Sequence, residues 1–163
     1  VRSPMLFIDY VGDHVDHTAA VRDDEWLSVR DMGYFDAQGY LCLIGRENRM
    51  VVTQGKNLFP EEVESVLLSC PEVTQASVLG VPDAIRGQQV VAIVCASFDG
   101  VSAHSLSQLC REQLENYKVP KRFFVCPEWP MTASGKTDHP TLAKQLQQHL
   151  TDEKAPSCLR PLP

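Results

Sequence analysis

Six consecutive apolar residues, Val90-Val91-Ala92-Ile93-Val94-Cys95, constrain this chain more than any other stretch. A membrane span needs about 18 apolar residues, so the run is too short to cross a bilayer. Its β-branched content favours a strand, and an uninterrupted apolar strand belongs in the centre of a sheet, buried. The flanking sequence supplies the cover. A helix is expected to open at Pro60, because proline suits the first helical position and Glu61 and Glu62 complement the dipole there. Val63, Val66, Leu67 and Cys70 then recur at helical spacing, and Pro71 stops the helix. A second helix is expected over about 103–116, with Leu106, Leu109, Cys110 and Leu114 on one face and Arg111 and Glu115 as a solvated pair one turn apart. A third begins near Pro140 and carries Leu142, Leu146 and Leu150. Residues 75–81, 89–98 and 122–125 read as strands. From about Arg49 to Leu150 the order is hairpin, helix, strand, strand, helix, strand, helix. That is an α+β domain: a short sheet with a β-hairpin, packed by about three helices.

The ends read differently. Within residues 1–30, Met5-Leu6-Phe7-Ile8 and Val29 can supply strands but not a core, and Asp13 through Asp24 reads as a polar surface connection. The opening Val1-Arg2-Ser3-Pro4-Met5 lacks a signal-peptide layout, and Val1 is read as a cut end. The polar, Pro-rich stretch from Asp152 onward is expected to be a disordered tail.

Charge and cysteines exclude some functions. The net charge is −6 and the pI about 5.3, so the surface repels phosphate backbones and anionic lipid, against nucleic-acid binding and membrane docking. Cys42, Cys70, Cys95, Cys110, Cys126 and Cys158 include no C-x-x-C pair, so the close spacing of a zinc site is absent and no metal site is expected. They read as free thiols, mostly buried, in a reducing cytoplasm.

Three places have residue types suited to chemistry. Two β-prone runs, Asp31–Phe35 and Tyr40–Arg46, flank the turn residues Asp36–Gly39 and predict a hairpin. A turn centred near Gln38 sets Asp31 almost opposite Arg46, with Cα atoms roughly 5 Å apart. The acid can accept from two vicinal hydroxyls and the guanidinium can donate to them or to phosphate; a surface salt bridge is the plainer reading. Gln54-Gly55-Lys56-Asn57 reads as a turn after a short strand from Arg49 to Thr53. Its glycine permits close approach of a ligand, or is simply a hairpin glycine. Thr132-Ala133-Ser134-Gly135-Lys136-Thr137 lacks the first glycine of a Walker A loop. What it offers is one lysine on a hydroxyl-rich loop, suited to a phosphate or merely solvated. Spacing alone leaves the function undecided.

The strings themselves are more specific. Asp31-Met32-Gly33-Tyr34, Gly45-Arg46-Glu47-Asn48-Arg49-Met50 and Gly55-Lys56-Asn57-Leu58-Phe59-Pro60-Glu61-Glu62-Val63-Glu64 resemble motifs of the adenylate-forming superfamily. So do Val78-Leu79-Gly80-Val81-Pro82-Asp83, Tyr117-Lys118-Val119-Pro120 and Pro130-Met131-Thr132-Ala133-Ser134-Gly135-Lys136. The six occur in the family's order between Asp31 and Lys136, and Val1–Tyr10 resembles the segment before them. The superfamily comprises acyl- and aryl-CoA synthetases, peptide-synthetase adenylation domains and luciferases.

The resemblance implies an activity and a division of the chain. Such enzymes use ATP with Mg2+ to convert a carboxylate into an acyl-adenylate, then pass the acyl group to a thiol, usually of coenzyme A. It implies that Asp31 holds the ribose hydroxyls with help from Arg46, and that Lys136 contacts the carboxylate and α-phosphate during adenylation. Asn48 stands at the hinge, where the family usually has Asp or Lys, and Gly55 lines the pantetheine tunnel after domain rotation. Arg30 and Val29 stand where the family usually has Gly and Thr. By the same resemblance, residues 1–47 are the tail of a large N-terminal domain, 48–150 the mobile C-terminal domain and 151–163 the tail. The Ser/Thr/Gly-rich phosphate loop and the aromatic segment that stacks on adenine belong to that large domain and do not occur in these 163 residues. The expected partners are therefore a carboxylate, ATP, CoA and the chain's own N-terminal domain, and the chain is expected to be inactive in isolation. Asn57–Glu64 resembles the synthetase form of its motif; loading of a carrier-protein phosphopantetheine and a non-catalytic stand-alone module are the alternatives.

Overall fold

The computed structural model describes residues 2–3, 22–96, 100–151 and 158–163. The chain divides into two compact units, residues 1–48 and 49–163.

In the first unit, β1 (Arg22–Asp23) and β2 (Trp26–Leu27) pair across a tight turn, which Asp24 enters with φ 51°. Part of the stretch expected to be a polar connection is thus a small hairpin. Val29 lies outside both strands, and the expected strand Met5–Ile8 lies outside the described residues. β3 (Asp31–Phe35) and β4 (Leu41–Arg46) form the expected antiparallel hairpin. Its turn is organised by the Asp36 carboxylate, which accepts from the Gln38 N–H at 2.9 Å and the Tyr40 N–H at 2.8 Å. Gly33 is required by contact: a Cβ there would sit 2.7 Å from the Cys42 carbonyl oxygen.

The second unit holds a six-stranded sheet. Glu47–Arg49 is one turn of 3-10 helix. After it come β5 (Val51–Thr53) and β6 (Lys56–Leu58), joined by Gln54 and Gly55 at φ 53° and 73°. Positive φ at both positions is what a two-residue type I′ hairpin demands. Lys56 and Asn57 are therefore strand residues, not turn. Helix α1 (Pro60–Leu68) begins on its proline as expected. β7 (Val73–Asp83) and β8 (Gly87–Ala96) pair antiparallel along their whole length.

Helix α2 (Ala103–Gln113) starts on a reciprocal Ser102/Ser105 capping box and ends earlier than its apolar spacing suggests. Leu114 is already extended, and the Lys118 N–H turns back onto the Glu115 carbonyl at 2.9 Å. Glu115 consequently faces Lys118 at 3.4 Å instead of sharing a helix face with Arg111. β9 (Arg122–Val125) runs parallel to β8, and α3 (His139–Thr151) follows.

The apolar run of β8 is central, as its composition demands. Val90, Ala92 and Val94 face a core shared with Val63 and Leu67 of α1 and Leu106 and Cys110 of α2. Val91 and Ile93 face the other core, with Phe124 and with Leu142 and Leu146 of α3. Successive side chains of a strand point to opposite faces, so a strand covered on both sides must be apolar throughout.

The expected tail is corrected in its last residues. Arg160–Pro161 forms β10, antiparallel to β9, with Leu159 and Leu162 buried and the Pro163 carbonyl accepting from the Ala103 N–H at 2.8 Å. Two leucines spaced to bury on either side of a short edge strand outweigh the polar, Pro-rich composition. Residues 152–157 lie outside the described set. All six cysteines are free, with Cys110 and Cys126 buried and the others partly so. Among the described residues no helix is long and apolar enough to cross a membrane.

Candidate active site

The hairpin of the first unit brings Asp31 opposite Arg46. Simple counting from a turn at Gln38 would pair Asp31 with residue 45. A bulge opposite Met32/Gly33 adds one residue to the far strand and moves the partner to Arg46. Arg46 Nε donates to Asp31 Oδ1 at 3.0 Å, with both side chains substantially exposed. The bridge contributes little to stability in that setting, but it holds a carboxylate and a guanidinium side by side on an open strand end. Asn48 is exposed in the 3-10 turn at the boundary of the two units.

Lys136 lies on a loop that is a miniature hairpin. Met131 pairs with Thr137 as an isolated antiparallel bridge. The Thr132 N–H donates to the Lys136 carbonyl at 2.7 Å and the Asp138 N–H to the Pro130 carbonyl at 3.0 Å. Gly135 turns the tip at φ 77°, and its N–H donates to the Thr132 carbonyl at 2.9 Å. Thr132 Oγ1 accepts from the Lys136 N–H at 3.2 Å. The backbone beside Lys136 is thus bonded from both sides while the residue stays exposed.

The stem after Lys136 is anchored more deeply. Asp138 accepts from the N–H and hydroxyl of Thr141 at 3.0 and 2.8 Å, opening α3 as an N-cap does. Those bonds hold its carboxyl below the usual range. His139 Nδ1 lies 2.9 Å from Ser77 Oγ on β7. Burial, then the nearby Arg49 charge, push the imidazole below its ordinary pKa.

Arg49 belongs to a partly buried ion network. Its guanidinium donates to Glu61 Oε1 at 3.0 Å and, through both NH groups, to Glu64. Glu64 Oε1 also accepts from the Val78 N–H at 2.8 Å. The spacing of apolar residues on α1 did not single out Glu64. Its signal was a charge among the apolar positions Val63 and Leu67, one turn from the latter.

Gly55 sits at the tip of the β5–β6 hairpin. Its hairpin is tied to the β7–β8 turn by the Gln54 N–H donating to the Arg86 carbonyl at 2.9 Å and by pairing of Thr53 with Gly87. The Lys136 stem is tied at Ser77. From Ser77 to Asp83, opposite Gly87, β7 extends about 20 Å. The two loops are thus anchored at different points along β7 and β8. Beside the Gly55 hairpin, Lys56 Nζ lies 4.6 Å from the Tyr117 ring centroid, and Lys118 Nζ bonds both Glu62 oxygens at 2.7 and 2.9 Å.

Residues 62–136 match the family model described as the AMP-binding enzyme C-terminal domain. An uncharacterized acyl–CoA ligase of Bacillus subtilis (strain 168) is 41% identical over 148 residues, covering 91% of this chain and 29% of that protein. A 4-chlorobenzoate–CoA ligase from Arthrobacter is 38% identical over 140 residues, covering 85% of this chain and 27% of that one. Among solved structures, the o-succinylbenzoate CoA synthetase of Bacillus subtilis with its acyl-adenylate intermediate matches with a TM-score of 0.71 at 38% identity, over 76% of this chain and 25% of that one. The chain spans roughly a quarter of the length of the curated relatives it matches. Motif order, fold and these likenesses agree: the chain belongs to the adenylate-forming superfamily and corresponds to its C-terminal part.

Proposed function

We propose that this chain is the C-terminal portion of an ATP-dependent acyl- or aryl-CoA synthetase and that Lys136 is its catalytic lysine. The observation that carries the reading is the Lys136 loop: an exposed ammonium on a backbone bonded on both sides, in a chain related to CoA ligases. A substrate carboxylate oxygen attacks the α-phosphorus of ATP, the bond to the β-phosphate oxygen breaks, and pyrophosphate leaves. Negative charge gathers between carboxylate and phosphate in that transition state, and a positioned ammonium offsets it. The CoA thiolate then attacks the acyl carbonyl and AMP leaves.

Asp31, with Arg46 beside it, suits the ribose diol: Oδ1 is engaged by Arg46, and Oδ2 has no partner among the described residues. The related Bacillus subtilis synthetase has been solved with ATP and magnesium ion, which supports ATP with Mg2+ here. Gly55, on an open hairpin tip, suits a second task, contact with the pantetheine arm. Asn48, at the boundary of the units, is the proposed hinge about which the two tasks alternate.

The test is pyrophosphate release with ATP and a panel of carboxylates, by the chain extended through its upstream coding sequence. Lys136→Ala should lower acid-dependent release by about 10²–10³-fold. Undiminished release in that variant would overturn the lysine's role, and no release with any acid would favour a non-catalytic module. Offering CoA and a phosphopantetheinyl carrier protein in parallel separates the two acceptors.

A further inference from the structure

We propose that Trp129 and Thr137 are positioning residues for Lys136, joined in a clip that sets where the ammonium is presented; the proposal rests on the catalytic reading of Lys136 above. The Lys136 hairpin is only a few residues long, and two-stranded stubs of that size are marginal in water by themselves. Something must hold its base. Trp129 Nε1 donates to Thr137 Oγ1 at 3.1 Å, in a partly buried setting. The tryptophan itself packs against the core that holds Val81, Phe124 and Leu142. Thr137 immediately follows Lys136. Lys136 is exposed and Thr137 partly buried, so the residue that presents the ammonium and the residue tied to the core are immediate neighbours.

The chemistry of the pair is selective. An indole N–H is a donor only, and a threonine hydroxyl can receive it. Valine at 137 would keep the shape and the strand preference but leave the half-buried indole N–H without its acceptor. The other bonds of the loop run within it, from Thr132 to Lys136 and from Gly135 to Thr132, so they shape the tip without fixing its height above the sheet. Asp138 and His139 fix the start of α3. The Met131–Thr137 bridge and the Asp138–Pro130 bond close the base of the hairpin through backbone; the Trp129–Thr137 bond is the side-chain contact that ties the residue next to the lysine to a core-packed residue. Misplacing a reacting group by an ångström can cost about 100-fold in rate, so loosening this clip acts on the step that uses the lysine and on no other.

The experiment compares Thr137→Val, Thr137→Ser, Trp129→Phe and Lys136→Ala. In this 163-residue chain, the indole N–H of Trp129 should exchange about tenfold faster in Thr137→Val, with Trp26, the only other tryptophan, as internal control. In the extended chain, Thr137→Val should lower kcat for pyrophosphate release about tenfold with KM for ATP unchanged. Thioester formation from supplied acyl-adenylate and CoA should be unaffected, and Thr137→Ser should restore most of the loss. Trp129→Phe should lower release similarly, and combining it with Thr137→Val should add little. Unchanged indole exchange overturns the clip. Faster exchange with unchanged release, in an enzyme that Lys136→Ala inactivates, overturns its positioning role, as does an equal fall in both half-reactions. Full release by Lys136→Ala would instead refute the reading on which the proposal rests.

Discussion

At the scale of single residues, Glu64 is the most deeply buried charged residue among those described in the second unit. Arg49 and the Val78 N–H both depend on that carboxylate, and Glu64 is 8% exposed. Removing that carboxylate leaves Arg49 with Glu61 alone and the buried Val78 N–H without its acceptor, and breaking a buried ion network from one side is costly. Glu64→Ala should therefore destabilise the chain by about 3–5 kcal/mol, read as a shift in the urea midpoint. The exposed Asp31–Arg46 bridge is the contrast: similar chemistry, little stability, and so a better candidate for binding than for folding. Exposure, invisible in the residue types, separates the two.

At the scale of elements, turn chemistry explains most boundaries. Asp36 organises one hairpin through two backbone N–H groups. The β5–β6 hairpin is less well matched: Gly55 suits its positive φ, but Gln54 at φ 53° does not. Asparagine tolerates that conformation and Asn-Gly is the favoured type I′ pair. Gln54→Asn should raise stability by about 0.5–1 kcal/mol in a denaturation curve. A fall instead would mean that the Gln54 side chain has a role of its own at the tip.

At the scale of the whole molecule, two measurements address how the pieces are held. Ending the chain at Thr151 removes Leu159 and Leu162, both buried, and the strand that pairs with β9. Each buried leucine contributes about 1.5–3 kcal/mol, so this truncation should cost about 3–6 kcal/mol in thermal or urea unfolding. An unchanged midpoint would contradict the strand. The second measurement is pH dependence. Burial and Arg49 lower the His139 pKa, against Glu64, Glu61 and Asp138, which raise it. A folded pKa below the unfolded value of about 6.5 means that the unfolded chain binds the proton more readily. The contribution of His139 is thus complete above pH 6.5 and is lost as pH falls below it. Unfolding midpoints should decline from pH 6.5 toward 5, and His139→Gln should flatten that decline.

What the sequence determined by itself was local. β-prone runs and turn residues specified the Asp31–Arg46 hairpin, helical spacing and Pro60 specified α1, and the apolar run specified the central strand, because each depends on neighbours a few residues away. The motif strings of Asp31, Arg46, Gly55 and Lys136 were legible in the same way. Tertiary structure alone decided the rest. Arg49 meets Glu64, Ser77 meets His139, and Leu162 reaches β9, across separations where no periodicity operates. Even Trp129 and Thr137, close in sequence, meet only because the loop between them closes as a hairpin against the core. Such contacts form when burial forces polar groups to find partners from whatever segments the packed sheet brings alongside.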